Sequence, residues 1–496
     1  MTGRWVLRGT LTLLTPLHVG SGRTEAGLRI RREDDPETKQ GAEVSAVARD
    51  HADQPYIPGS SLKGVLRSWL TRMSAGDMDA IERVFGRQAV KDDSGFGGVA
   101  EFADCFLDVR PGTVTLPHAQ GGRATAVMAG VSIARETGAA APRLLAHRSV
   151  VPPGSRFTVV VTGDDADIDD MAYIAAALEG FNHAGTPLSL GRGGGHGDGR
   201  ATWTLTSFAR VPDDPQELLA LLDQGVWSEG VLIDAQDLLA RKLADIRPTL
   251  RPGGRIGVEL RLTFDGPVLV NDPSIVRGPR QPIRFAEGRY VLPGSSLRGV
   301  LRARAERILR TLVGQETLPQ AHAALIDHIF GATSRKGRLT VDTFELAGPV
   351  ERPRFEMIAI DRFTGGGADG RKFATEPLWR PAFAGRLALD LDGVSPAAIG
   401  LLVLVFRDLA EGDISIGSGA AKGYGACRID ATRTRWQVHP PNPTHPLAEL
   451  LAKLEGALAG DGGAVRQGAV ADTLRTCVGA LRALPLGEED ADVGPA

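Results

Sequence analysis

Two ten-residue stretches of this chain have the makings of a phosphate site. PGSSLKGVLR, Pro58 to Arg67, returns as PGSSLRGVLR, Pro293 to Arg302, and the single difference is Lys63 against Arg298. In each, Pro-Gly makes a turn, and Ser60 or Ser61 (Ser295 or Ser296 in the second copy) can cap the helix that follows. A helix N-terminus with open N–H groups, hydroxyls and a nearby cation attracts phosphate. Lys63 and Arg67 stand four apart on one face, as Arg298 and Arg302 do, while Leu62, Val65 and Leu66 form the core face. A capped helix with solvated cations explains one copy. Repetition of the whole motif makes the phosphate reading its equal.

Two glycine loops offer a second kind of anion contact. GRGGGHGDG (Gly191–Gly199) and GSGAAKGYG (Gly417–Gly425) both fit G-x-G-x-x-x-G-x-G. They follow helix-like segments and precede strands, the reverse of the strand–loop–helix order of a dinucleotide fingerprint. Backbone at Gly191, Gly193, Gly197, Gly417, Gly419 and Gly423 permits close approach of a phosphodiester, with Arg192, His196, Lys422 and Tyr424 adding side-chain contacts. A ligand-free glycine hairpin is the plainer alternative. Two I-x-R-x-T-G segments put Arg135 and Arg362 at the root of a loop or small hairpin, as cations or as salt-bridge partners. His18 could serve as a general base, but its place between Leu17 and Val19 in a strand favours a structural histidine.

These elements recur in one order, which reveals a tandem duplication. TLLTPLHV (Thr12–Val19), read as an early strand, matches TFDGPVLV (Thr263–Val270), and IERVFGR (Ile81–Arg87) matches IDHIFGA (Ile326–Ala332). Ile133, Arg135, Thr137 and Gly138 then match Ile360, Arg362, Thr364 and Gly365, and the glycine loops come last. The boundaries that follow are a first domain over 1–211, a helical connector over 212–252, a second domain over 253–435 and a tail over 436–496. In the tail, a proline-rich joint precedes a helix over Pro446–Gly460 and an acidic, disordered end.

Composition limits the function classes. At 496 residues the chain suits two domains, and 42% hydrophobic with 24% charged residues is that of a soluble globular protein. Net charge is -3, so a polyanion must be met by local basic surface. Three scattered cysteines exclude a disulfide framework and a thiolate zinc site. With no signal peptide and no membrane-length apolar run, a cytoplasmic protein with no membrane partner is expected.

A first strand ending in PLHVGSG, then IPGSSLKGVLR, IDRFTGGGADGRKF and the last glycine loop together resemble the RAMP superfamily. More narrowly they resemble the backbone subunits of type III CRISPR–Cas effector complexes, once in each half. The resemblance implies an α+β fold: two ferredoxin-like (RRM-like) RAMP domains in tandem, with thumb-like insertions and a C-terminal helical tail. It also implies CRISPR guide RNA, complementary target RNA and other type III effector subunits as partners. The IDRFTGG region corresponds to the thumb, and the PGSSLKG helix and glycine loop to the guide-binding surface. Backbone-directed contacts suit sequence-independent binding of a guide, and the 5% aromatic content argues against base stacking as the main source of affinity.

In that family an aspartate between the first strand and first helix supports metal-dependent cleavage of target RNA. Asp272-Pro-Ser-Ile275-Val-Arg277 fits its context; in the first half Val44 takes the aspartate's place, with Glu43 adjacent and Asp34, Asp35 or Asp50 as substitutes. The resemblance therefore makes Asp272 the catalytic residue and a ligand for Mg²⁺ or another divalent cation, positioning the metal or the attacking 2′-hydroxyl. An ordinary Asp-Pro turn is the alternative. The same scaffold without cutting activity, or a guide-precursor endoribonuclease using His196, are the competing functions.

Overall fold

Alternating apolar residues in GRWVLRGTLTL make Gly3–Leu13 (β1) a strand with one buried face, led by Leu7, Leu11 and Leu13. The computed structural model describes residues 3–26, 43–73, 78–87, 94–108, 124–133, 140–183, 187–212, 232–247, 254–272, 278–284, 288–439 and 469–485, with a few isolated positions besides. Strand β1 ends before Pro16, so TLLTPLHV is a strand end and the irregular segment after it, not a strand throughout. Proline cannot donate to the ladder, which explains the stop.

The first half continues with β2 (Gly20–Ala26), β3 (Glu43–Val47), α1 (Gly59–Met73), α2 (Met78–Phe85), β4 (Ala100–Phe102), β5 (Ala126–Ile133), β6 (Ala140–Val150), β7 (Arg156–Ala166), α3 (Ile168–Glu179) and β8 (Ala201–Arg210). The main sheet runs β8-β1-β7-β4, all antiparallel. Its strands and helices follow β-α-β-β-α-β order, with the last strand beside the first and the third between first and second. This is the ferredoxin-like arrangement. A second sheet, β2-β3-β6-β5, is inserted between β1 and β7 and ends in the β5–β6 hairpin.

The second half repeats the plan. It contains β9 (Arg255–Phe264), α5 (Gly294–Val313), α6 (Gln320–Phe330), β10 (Leu339–Val341), β11 (Phe344–Leu346), the hairpin β12–β13 (Phe355–Ile360, Gly367–Thr375), β14 (Ala382–Asp390), α7 (Pro396–Glu411), β15 (Cys427–Ile429) and β16 (Arg435–His439). Strand β9 lies between β14 and the pair β15 and β16, and β14 is flanked by β10 and β11. Each half has its own apolar core. In the first, α1 buries Leu62, Leu66, Trp69 and Leu70, each aliphatic side chain contributing about 1.5–3 kcal/mol of transfer free energy.

Both halves close with an extra helix. Helix α4 (Gln236–Ile246), in the expected connector, buries Leu239, Leu243 and Ile246 in the first core. Helix α8 (Ala469–Arg482) inserts Cys477 and Leu481 into the second. Its backbone passes so close to Gly400 on α7 that a Cβ there would lie 2.3 Å from the Cys477 carbonyl oxygen. The helix expected over 446–460 and the acidic end lie largely or wholly outside the described residues. All three cysteines are buried free thiols.

Candidate nucleic-acid interface

The two PGSSL-K/R-G helix starts share a backbone but not an environment. The serines sit inside the first turn and do not cap it. In the second copy Pro293 is the N-cap and offers no side-chain acceptor. The first backbone N–H is met from the short link after a neighbouring strand instead, Gly59 donating to Asp104 Oδ1 at 2.8 Å and Gly294 to Thr343 Oγ1 at 3.4 Å. A carboxylate thus already occupies the anion-favouring end of α1.

Lys63 and Arg67 are half-buried on α1, and no ion pair among the described residues engages either. Their counterparts are committed internally. Arg298 is 8% exposed and donates to the Phe330 carbonyl at 2.7 Å. Burial, then the neighbouring Arg302, pushes its pKa down to about 10. Arg302 itself donates to Glu306, Asp327 and the Gly331 carbonyl. These two arginines hold α5 to α6, so the expectation of an open cationic helix end fails in the second copy.

The glycine loops do adopt one conformation twice. Gly191, Gly193, Gly197 and Gly199, and likewise Gly417, Gly419, Gly423 and Gly425, all have φ from 68° to 96°, where side chains are strained. Each loop is pinned to the segment after the first strand: Arg192 N donates to His18 O and Gly199 N to Pro16 O, while Ser418 N donates to Leu269 O and Gly425 N to Pro267 O. The N–H groups of His196, Gly197, Lys422, Gly423 and Tyr424 bond within their own loops. The N–H groups of Gly197 and Gly423 are therefore spent on the fold rather than on an anion, and the loops' other contribution is their side chains.

Among those side chains the structure separates three kinds. Arg192 and Lys422 are exposed. Tyr424 is 7% exposed with its hydroxyl on Thr375 Oγ1 at 3.2 Å, which removes it from any surface. His196 faces the second half and has no partner for Nδ1. Burial, followed by Arg298, Arg148 and Arg192, lowers its pKa to about 4, so at neutral pH it cannot donate as a general acid. His18 is also buried, with Nδ1 2.7 Å from the Ser149 carbonyl oxygen. It is structural.

In the second half three elements converge on Phe373 of β13. Lys422 Nζ lies 4.5 Å from the Phe373 ring centroid and the Arg280 guanidinium 5.6 Å from it, both in cation–π range. Arg280 N donates to Ala374 O, and one residue on, Gln281 O accepts from Asp272 N at 2.8 Å. The Asp272 loop, the base of the β12–β13 hairpin and the glycine loop are therefore stitched together. Positions 273–277, including Ile275 and Arg277, lie outside the described residues, as does Arg135 in the first hairpin. Arg362 sits at the tip of the second hairpin rather than its root, in a turn that Asp361 closes by accepting from Phe363 and Thr364. Beside it Phe363 is fully solvent-exposed, with Ile358 and Ile360 exposed behind it. Sequence reasoning passed over Arg280, Phe363 and Phe373. The basic run RGPRQPIR and a phenylalanine inside a glycine-rich turn were the available signals.

A single carboxylate does not make a resident metal site. The only trio of metal-ligating side chains among the described residues is Asp408, Glu411 and Asp413, and Arg304 and Arg407 neutralise Asp408. Asp272 offers one carboxylate ligand, and a magnesium ion there would take its others from substrate and water. In the first half Val44 is buried in β3, and Asp50 Oδ1 accepts from Ala52 N and Gln54 N in a turn. Neither the valine nor that aspartate reproduces Asp272; Asp34 and Asp35 lie outside the described residues.

The RAMP superfamily model matches residues 10–198 and again 261–428. The chain belongs to the RAMP superfamily. The two matched regions coincide with the two ferredoxin-like units, so this is a tandem RAMP protein, and membership points to a CRISPR-associated RNA-binding role. A search of curated proteins finds no relative of the chain. No helix among the described residues is long and apolar enough to cross a membrane.

Proposed function

We propose that this tandem RAMP protein is a fused backbone subunit of a type III CRISPR–Cas effector complex. It holds guide RNA along both halves and cleaves complementary target RNA from the second. The observation that carries this reading is the convergence of the Asp272 loop, the hairpin base and Lys422 around Phe373. Arg280 and Lys422 supply phosphate contacts there, and the exposed Phe363 supplies an apolar tip that a duplex can stack against. The Asp272 carboxylate would orient the attacking 2′-hydroxyl, or would hold a magnesium ion whose charge would stabilise the transition state. In the first half Lys63, Arg67 and Arg192 bind guide without cutting.

The test uses the assembled complex with guide, complementary RNA and Mg²⁺. Asp272→Ala should abolish a cleavage product while leaving guide content and target binding intact. An unchanged set of products would leave the chain a non-cutting scaffold. Cleavage of guide precursor is disfavoured, because the neutral, enclosed His196 lacks a partner base.

A further inference from the structure

The two halves meet through the very elements that the duplication repeats. The first half's glycine loop lies on the second half's helix start: a Cβ at Gly195 would be 1.9 Å from Arg298 Nη1, one at Gly197 2.7 Å from Asp342 Cα, and one at Gly294 2.6 Å from the His196 carbonyl oxygen. Arg200 pairs with Asp342 across this joint. The contact is head-to-tail, so the chain carries one unmatched piece at each end. These are the helix start at Gly59 and the glycine loop at 417–425, where Gly423 faces open space. Repetition of a heterologous contact builds open filaments, and two copies of this chain would extend one if their ends matched.

Their ends do not match. Aligned on the loops, Gly195 becomes Ala421, His196 becomes Lys422 and Arg200 becomes Ala426. Aligned on the strand that the helix-start glycines touch, Asp342 becomes Ala103, since Gly59 meets Phe102 and Ala103 as Gly294 meets Val341 and Asp342. A joint between copies would therefore lose the ion pair, set Ala421 rather than a glycine against Lys63, and bury the Lys422 charge beside Lys63 and Arg67. His196 avoids that last conflict by staying neutral next to Arg298 and Arg148. We propose that Gly195, His196, Arg200 and Asp342 are specificity-determining residues of a keyed head-to-tail interface. They admit the first half's loop onto the second half's helix start and keep the loop of one copy off the helix start of another. The proposal is independent of the RNA-cleavage reading.

Converting the ends tests it. One full-length variant carries Ala421→Gly, Lys422→His and Ala426→Arg; another carries Ala103→Asp. By sedimentation, without RNA, wild type and each variant alone should be monomeric, and an equimolar mixture of the two variants should give a one-to-one dimer. A mixture that stays monomeric, or wild type that already assembles head-to-tail as well as the mixture, overturns the proposal. A second measurement reads the key directly in single chains. Arg200→Asp and Asp342→Arg should each raise amide hydrogen exchange over 191–199, and the double exchange should restore protection. A double variant as unprotected as the singles also overturns it.

Discussion

Acid should loosen the joint between the halves through one side chain, His196. Its imidazole is enclosed among Arg298 from α5, Arg148 from β6 and Arg192 from its own loop, and its pKa falls from 6.5 to about 4. The fold thus favours the neutral ring. The stability this group contributes is complete above pH 6.5, declines as pH falls and is gone once pH passes below about 4. At pH 4.5 most of that interval has been crossed, and at 1.36 kcal/mol per unit the loss is about 2–3 kcal/mol. Asp198 and Asp342 stand in the same joint with pKa values raised by burial, so their protonation works in the opposite sense and total stability alone does not isolate His196. His196→Gln does, because glutamine is neutral at every pH. Denaturant unfolding at pH 7 and pH 4.5 should show wild type losing about 2–3 kcal/mol more than the variant. Equal losses in the two proteins would refute the reasoning.

Removing Asp342 leaves Arg200 without its partner and Arg255 and Arg386 with one counter-charge fewer. Breaking such a buried pair costs about 3 kcal/mol, the low end of the usual range because Arg200 keeps some solvent contact, and denaturant midpoints of Asp342→Ala measure it. Lys63→Ala with Arg67→Ala should weaken guide RNA binding and flatten its dependence on salt, the logarithmic slope falling by about 1–2. The matching pair Arg298→Ala and Arg302→Ala should instead lower unfolding stability, since those side chains bind α6 carbonyls and carboxylates.

The duplication was legible because motif order survives divergence, and Pro-Gly turns and glycines with positive φ are local demands. The alternation of strands and helices in each half was legible for the same reason. What escaped was everything that depends on one half touching the other. Identical helix starts suggested identical roles, yet Arg298 is buried under Gly195 while Lys63 is not. The clue lay in where the repeats differ, in Arg200 against Ala426 and Asp342 against Ala103. The glycine loops answer to a second requirement that the sequence does not show. Their conformation satisfies contacts with the segment after the first strand, a long-range requirement that mimics an anion cradle. Asp272 came only from resemblance, since an Asp-Pro turn carries no chemistry of its own.

Crosslinking of the RNA that co-purifies with the full-length chain in its complex tests the central claim most directly. Guide RNA should crosslink to both halves, on the Lys63–Arg67 face of α1 and at Lys422, Arg280 and Phe363 in the second. An absence of bound small RNA, or crosslinks confined to one half, would contradict the account.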